Sequence, residues 1–324
     1  MIHRLTHLYQ AQTQVFDLCI IGGGATGAGV ALDAALRGLK VCLIEREDFA
    51  AQTSSKSTKL IHGGVRYLEQ AFKKLDWEQF KLVRKGLWER KYLLQNAPHL
   101  SQPLALLTPC ASWFERFYFG TGLKLYDALA GRHNLQPSRQ LSTSEALSRI
   151  PTLRKKGLRG AVLYYDGQLD DARFALALVK TAARHGATVL NHASAISFGK
   201  TDEGRLASLR VQDDLMGEAF TVKSRLFVNA TGPFADGIRH LANPSLLPRM
   251  RVSKGVHLIL PKKVLDSETA LLVPKTSDGR VIFLIPWQGH TLVGTTDTEA
   301  ELHDDPALQR EEITYLLDYV RQYL

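Results

Sequence analysis

The chain has 324 residues, 45% of them apolar and 23% charged, which is enough for a sizeable core and more than one domain and excludes intrinsic disorder. Its 41 basic against 32 acidic residues leave a formal charge of +9, which suits an anionic partner: a phosphorylated substrate, an anionic membrane surface or nucleic acid. Cys19, Cys42 and Cys110 are too few and too scattered for a disulfide framework or a metal cluster and fit a reducing, cytoplasmic setting, and no run approaches the ~18 uncharged apolar residues of a membrane span.

Residues 1–14 have neither a continuous apolar core nor a small-residue cleavage pattern, so they do not read as a signal peptide. The first clear unit is 15–45. The apolar strand Phe16-Asp17-Leu18-Cys19-Ile20-Ile21 runs into Gly22-Gly23-Gly24-Ala25-Thr26-Gly27-Ala28-Gly29. A small-residue helix over 30–37 follows and stops at Gly38, and a second strand over 40–44 ends at Glu45, a βαβ unit. Residues 53–66 are polar and glycine-bearing, hence a loop, and 68–95 alternates charge with apolar residues at helical spacing. The stretch 101–139 reads as irregular and aromatic. Asp170-Asp171-Ala172-Arg173 caps a helix running to about 185, ended by Gly186. Residues 188–198 read as one strand, and 206–213 with 220–229 as two strands around a turn. Further strand candidates at 251–260, 270–273, 281–286 and 291–295 suggest an antiparallel sheet in the second half, and a helix is expected over 311–324. Helix and strand alternate early and strands dominate late, so an α/β nucleotide domain is interleaved with a β-rich one.

Gly22, Gly24 and Gly27 form G-x-G-x-x-G between a strand and a helix. Gly22 allows the tight turn, Gly24 lets the backbone approach a pyrophosphate, and Gly27 lets helix and strand pack closely. The helix start, with Ala25 and Thr26 at its head, offers free N–H groups and a partial positive charge to phosphates. Glu45 stands 23 residues after Gly22, where a carboxylate can accept both ribose hydroxyls. An acid here disfavours a 2′-phosphate; FAD and NAD both remain open from this unit alone.

The run Thr53-Ser54-Ser55-Lys56-Ser57-Thr58-Lys59-Leu60-Ile61-His62-Gly63-Gly64-Val65-Arg66-Tyr67-Leu68 is the most specific stretch. Its dense hydroxyls can bond phosphate oxygens and ring atoms, and Gly63-Gly64 lets backbone pass close to a flat ring. The run resembles the S-S-x-x-[ST]-K-L-I-H-G-G-x-R-Y-L segment of FAD-dependent glycerol-3-phosphate dehydrogenases, within the D-amino-acid-oxidase-like flavoproteins. Ala97-Pro98-His99-Leu100, Tyr126-Asp127, Tyr164-Tyr165-Asp166-Gly167, Asp170-Asp171-Ala172-Arg173, Asn229-Ala230-Thr231-Gly232-Pro233, Lys254-Gly255-Val256-His257 and Gly294-Thr295-Thr296-Asp297 are similar to that family in the same order.

The resemblance implies an α/β fold: a Rossmann-like FAD-binding domain, 15–95 with 155–240, interleaved with a mostly antiparallel β-sheet substrate domain, 96–154 with 241–324. It implies FAD as cofactor, lined by Thr53, Ser54, Ser55, Thr58, Lys59, Leu60, His62, Gly63 and Gly64, with Ala195 near the adenine side and Ala230, Thr231 and Gly232 letting backbone pass close. It implies oxidation of glycerol 3-phosphate to dihydroxyacetone phosphate, a hydride passing from C2 to flavin N5 and electrons onward to membrane quinone. Arg66 matches the family's substrate-loop arginine, whose planar fork can bond two phosphate oxygens, and Tyr67 can donate a hydroxyl. His257 is the first choice for the general base and His62 the runner-up; Lys254 and Arg280 are weaker phosphate candidates. No metal is implied. The family continues beyond the last helix with a G-V-R-P segment and a G-G-K-x-T-T-x-R motif; neither occurs in this sequence, so the chain is expected to lack the family's C-terminal part.

Basic residues Lys73, Lys74, Lys81, Arg84, Lys85, Arg90 and Lys91 among Trp77, Phe80, Leu87 and Trp88 fit either a solvated amphipathic helix packed on the protein or, with the aromatic run 113–119, a lipid surface. The family's membrane quinone acceptor implies a peripheral seat on the cytoplasmic face of an inner membrane. No nucleic-acid-reading module is present. The alternatives are a flavin-binding protein without independent catalysis, a related oxidase using oxygen, and an amine or hydroxy-acid oxidase on the same fold.

Overall fold

The computed structural model describes residues 3–64, 76–274, 276 and 279–324, and its contacts divide the chain into two compact units. The first comprises Met1–Ser57, Asp171–Val252 and Glu301–Asp304; the second comprises Thr58–Asp170, Ser253–Ala300 and Asp305–Leu324. Residues 58–64, 76–95 and 155–170, expected with the nucleotide domain, therefore lie in the second unit, and 241–252 with 301–304, expected with the substrate domain, lie in the first. Strand pairing explains the former: Leu60–Ile61 and Ser101–Cys110 both bond to Gly160–Leu169.

In the first unit the sheet order is Thr188–Leu190, Val41–Ile44, Val15–Ile21, Ala219–Asn229, Leu206–Asp213, Ala193–Lys200. The first four strands are mutually parallel and the last two are added antiparallel. Val41–Ile44 is buried throughout, as the unbroken apolar run Val-Cys-Leu-Ile requires of a strand covered on both faces. Alternate residues face opposite sides. Ile20 and Leu43 join Ala28, Ala31 and Val179 under the helices Ala25–Leu36 and Asp171–Arg184, while Cys19 and Cys42 join Leu8 and Ala11 of the helix Arg4–Thr13.

That N-terminal helix was not expected from its polar sequence. It is fastened by side chains: Val189 N–H donates to His7 Nδ1 at 2.7 Å, Thr188 Oγ1 donates to Gln10 Oε1 at 3.0 Å, and Arg4 meets Asp213 at 2.8 Å. The helix after the glycine turn starts at Ala25 rather than 30, because the small residues of the motif itself take helical form. The expected strand 188–198 is two strands, broken at His192, whose φ of 47° no extended strand accommodates.

In the second unit a sheet runs His257–Pro261, His290–Gly294, Ile282–Trp287, Ala270–Val273, Ser101–Cys110, Gly160–Leu169, Leu60–Ile61, with Arg139–Leu141 also paired to Gly160–Leu169. Among the described residues only the Ala270–Val273 to Ser101–Cys110 pairing of this sheet is parallel. The helices Trp77–Asn96 and Trp113–Ala130 cover one side through Val83, Leu87, Leu123 and Tyr126. Thr143–Arg149 and Arg310–Tyr323 supply Ala146, Leu316 and Val320 to a second core. The segment 101–139, expected to be irregular, thus holds a central strand and an 18-residue helix. The earlier part of the helix expected over 68–95 lies outside the described residues; the described helix starts at Trp77, where Asp76 accepts the Glu78 and Gln79 N–H groups at 3.0 and 3.2 Å. Among the described residues no helix is long and apolar enough to cross a membrane.

Candidate functional site

The first unit brings the glycine motif, Glu45, Ser54 and Ala230 together. Gly22 has φ 107° and donates its N–H to the Ile44 carbonyl at 2.8 Å. A Cβ on Gly22 would lie 2.6 Å from the Ala230 carbonyl oxygen, and one on Gly27 would lie 1.8 Å from the Gly22 carbonyl oxygen. Both positions are closed to any side chain, which is the tight turn and close packing expected of them. The helix begins at Ala25; its N-cap, Gly24, has no side chain to cap it, and its first turn has no acid. Its exposed Ala25 N–H is held by Ser54 Oγ at 2.8 Å, and Thr26 beside it is also exposed. An uncapped, uncharged helix start reached by a serine hydroxyl fits a diphosphate.

Glu45 stands at the end of Val41–Ile44. Its Oε2 accepts the Gly23 N–H at 2.6 Å and its Oε1 accepts the Glu47 N–H at 2.9 Å, which fixes the carboxylate beside the glycine turn with lone pairs to spare. The Ala193 N–H donates to the Glu45 carbonyl at 2.8 Å, so Ala195, two residues on, enters its strand from the Glu45 end. Ala230 follows the neighbouring parallel strand and donates to the Ile21 carbonyl at 2.8 Å, with Thr231 hydrogen-bonded to Asn229 and Gly232 at φ 57°. Thr53 and Ser55 lie with Ser54 in one 3₁₀ turn. Asp171, read as part of a helix cap and of a segment similar to the family, is buried and accepts both the N–H and the hydroxyl of Ser57, at 3.1 and 2.7 Å. It pins the end of the hydroxyl-rich stretch, a role its capping motif did not reveal.

The rest of that stretch belongs to the second unit. Thr58 Oγ1 lies 2.9 Å from Nε2 of His257, which opens the strand His257–Pro261. Lys59 has φ 60°, a strained value for a side-chain-bearing residue of the kind concentrated at ligand sites. Its carbonyl accepts the Leu169 N–H at 3.0 Å, and Leu60 pairs with Gln168. His62 is exposed, while Gly63 and Gly64 are buried. The Gly64 N–H donates to His62 Nδ1 at 3.0 Å, and the Gly63 N–H donates to the Tyr126 hydroxyl at 2.7 Å. Tyr126 in turn meets Asp166, and Asp166 meets Arg90. None of these three is given a part at the site in the sequence reading. Tyr126 and Asp166 fall in segments similar to the family, but Arg90 was assigned to a basic surface and is instead fully buried.

Arg66 and Tyr67 lie outside the described residues. Lys254 is drawn away from substrate duty: its ammonium pairs with Glu312 at 2.9 Å and donates to the Ala307 carbonyl at 2.8 Å. Arg280 is half-buried, its N–H and carbonyl both engaged by Thr276. Among the described residues no group of three His, Cys, Asp or Glu side chains could hold a metal.

A parallel sheet ending in a glycine turn, a bare helix start and a strand-tip carboxylate define a dinucleotide-binding protein. The chain belongs to the DAO family of FAD dependent oxidoreductases, whose model matches residues 17–324. It is similar to the mitochondrial glycerol-3-phosphate dehydrogenase of Arabidopsis thaliana, 49% identical over 313 residues, covering 95% of this chain and 50% of that protein. It is similar also to the mitochondrial glycerol-3-phosphate dehydrogenase of Homo sapiens, 47% identical over 317 residues, covering 96% of this chain and 44% of that one. Among solved structures, the glycerol-3-phosphate dehydrogenase of Bacillus halodurans complexed with FAD superposes with a TM-score of 0.78 at 32% identity, covering 99% of this chain and 55% of that chain. The chain thus spans about half the length of the curated relatives it matches.

Proposed function

We propose that the chain binds FAD and takes part in the oxidation of sn-glycerol 3-phosphate to dihydroxyacetone phosphate, with electrons passed to membrane quinone. The observation that carries this reading is the 2.9 Å contact between Thr58 Oγ1 and His257 Nε2, which seats the candidate base on the segment that resembles the family's flavin loop. FAD, when bound, supplies the two-electron acceptor. The chain's own residues supply the rest. Gly22, Gly24 and the Ala25–Thr26 helix start receive the diphosphate, and Glu45 receives ribose hydroxyls. His257, as neutral imidazole, accepts the proton of the C2 hydroxyl, and Thr58 orients the ring, its hydroxyl being free to rotate as donor or acceptor. By the resemblance Arg66 holds the substrate phosphate and Tyr67 donates a hydroxyl, with Arg280 the weaker phosphate candidate; Lys254, already paired with Glu312, is given no part.

The test is anaerobic addition of glycerol 3-phosphate to the purified full-length protein while its flavin band near ~450 nm is followed. Bleaching is expected, and it should be lost in His257→Ala and Arg66→Ala. No flavin, or unchanged reduction in both variants, would overturn the assignment. Dye-linked turnover compared with oxygen consumption separates quinone-type from oxidase behaviour.

A peripheral lipid contact is part of the same proposal. On the helix Trp113–Ala130, Trp113, Phe114 and Phe117 are 69%, 75% and 67% exposed, with Arg116 over the Trp113 ring at 5.1 Å. Exposed aromatics beside a cation suit a lipid interface. Of the basic helix expected there, Arg90 and Leu87 are buried, while Trp77, Lys81, Arg84 and Lys85 remain exposed. Three buried free cysteines, Cys19, Cys42 and Cys110, are in keeping with the proposed cytoplasmic setting. Co-sedimentation with anionic vesicles at low salt is expected, and its absence would remove this part.

A further inference from the structure

Beneath the turn His62-Gly63-Gly64 the second unit buries a chain of polar groups that no step above uses. The Gly63 N–H donates to the Tyr126 hydroxyl at 2.7 Å, and that hydroxyl donates to Asp166 Oδ1 at 3.1 Å. Arg90 donates Nη1 to the same carboxylate oxygen at 2.5 Å and to the Tyr165 carbonyl at 3.1 Å. Tyr126, Asp166 and Arg90 are 1%, 1% and 0% exposed. They come from three elements: the helix Trp113–Ala130, the strand Gly160–Leu169 and the helix Trp77–Asn96.

From Gly63 through Tyr126 the donors point toward Asp166, and Arg90 donates to the same carboxylate from the other side, an order that has a consequence. With its proton given to Asp166, the Tyr126 hydroxyl can turn only a lone pair to Gly63. Burial pushes the Tyr126 phenol well above its usual range, and the Asp166 charge adds to this, so the proton stays on the tyrosine. Gly63 is confined sterically as well: a Cβ there would lie 2.6 Å from the Leu87 side chain and 2.9 Å from the Tyr126 hydroxyl. A buried ion pair is a costly way to hold two helices on a sheet, since apolar side chains of the same volume do it as well. What it adds is direction.

We propose that Tyr126, Asp166 and Arg90 are positioning residues that lock the Gly63 peptide. The locked turn then places the Gly64 N–H on His62 Nδ1, which makes His62 a donor through Nε2 and gives the flavin-facing turn one fixed pattern of hydrogen bonds. This rests on the flavin reading of the Thr58–Gly64 segment.

Tyr126→Phe keeps the ring and its packing and removes only the hydroxyl. Tyr164→Phe removes a hydroxyl from the ring packed edge-on against Tyr126, 6.4 Å away, and leaves the strut intact. In the full-length protein, with and without FAD, amide hydrogen exchange at Gly63 is expected to rise about tenfold in Tyr126→Phe, as loss of one buried hydrogen bond implies. FAD should bind about five- to tenfold more weakly, with an altered shape of the visible flavin band. Tyr164→Phe should change none of these, and Asp166→Asn, which can still accept, should fall nearer wild type than Asp166→Leu. Equal exchange and equal flavin spectra in Tyr126→Phe and Tyr164→Phe would overturn the proposal, even if Tyr126→Phe melts lower. A wild-type protein that takes no flavin would instead sink the cofactor reading on which the proposal stands.

Discussion

Thr58 and His257, 199 positions apart in the chain, share a 2.9 Å contact between Oγ1 and Nε2. The histidine is also held from behind. It pairs with Gly294 in the neighbouring strand, where a Cβ would lie 2.4 Å from the imidazole ring. A ring held at Nε2 by a hydroxyl and crowded at Cδ2 by bare backbone has little rotamer freedom, which is what a base aimed at one substrate proton needs. His257→Ala is expected to lower kcat with glycerol 3-phosphate by roughly 10²–10⁴-fold. Thr58→Val, which loses only the orientation, should cost about tenfold at most, in line with one hydrogen bond. Steady-state dye reduction measures both. A His257→Ala enzyme within twofold of wild type would remove the base from this residue.

Two glycines of the first unit separate close packing from backbone strain. A Cβ on Gly27 would lie 1.8 Å from the Gly22 carbonyl oxygen, whereas Gly38 has φ 79° with nothing within 4 Å of the same atom. Gly38→Ala should therefore cost about 1–2 kcal/mol, the left-handed penalty alone. Gly27→Ala should cost about 3 kcal/mol, because helix and turn must separate, and it should also release flavin. Thermal melts followed by circular dichroism and by flavin fluorescence check the pair. Equal losses in the two variants would mean that the turn yields more easily than its geometry says.

The glycine motif, its strands and its terminal acid were legible because short-range signals suffice there: an unbroken apolar run, small residues, and an acid at fixed spacing. The central strand Ser101–Cys110 was not, because Pro103 and Pro109 argue against a strand with two neighbours. The structure resolves this by pairing Ala270 and Leu271 only with Leu106 and Leu107, between the two prolines. The helix Trp113–Ala130 was hidden by its aromatics together with Gly120 and Gly122, although Ser112 caps it through the Glu115 N–H at 3.1 Å. Arg90 was misread for a different reason. Burial of a cation is decided by its partner Asp166, 76 residues away, and no local pattern records that distance.

The N-terminal helix offers a test of a single fastening. Arg4 donates to Asp213 at 2.8 Å and to the Asn191 carbonyl at 2.6 Å, and Asp213 also accepts the Leu215 and Met216 N–H groups at 3.0 and 3.2 Å. Burial would raise the Asp213 carboxyl, but Arg4 and the two backbone donors outweigh it and leave it below its usual range. Arg4→Ala should cost about 2 kcal/mol, since it leaves a nearly buried carboxylate with its backbone donors only. It should also speed proteolytic cleavage within the helix Arg4–Thr13 while leaving the melting of the second unit unchanged. Unchanged cleavage would show that Leu8 and Ala11 hold the helix without the ion pair.

Lys254 and Glu312 decide whether this lysine serves substrate or structure. Their side chains are 10% and 8% exposed and 2.9 Å apart, and Glu312 further accepts the Gln309 N–H at 2.8 Å at the start of the helix Arg310–Tyr323. Burial would raise the Glu312 carboxyl; Lys254 and the Gln309 N–H more than offset this, so its value lies below the usual one. A carboxylate depressed in the folded state contributes stability in full above its unfolded value, about 4.3, and loses it as pH falls through the lower folded value. Glu312→Gln should thus cost about 3 kcal/mol at pH 7, because it strands a buried ammonium. The gap in melting temperature from wild type should begin to narrow below about pH 4.3. Replacing both, Lys254→Met with Glu312→Leu, should recover most of the loss at neutral pH, because no buried charge is left unpaired. If Lys254 instead held substrate phosphate, the double variant would regain stability while its KM for glycerol 3-phosphate rose well above wild type. With the lysine structural, KM stays put, and measuring KM in that variant settles which of the two the lysine does.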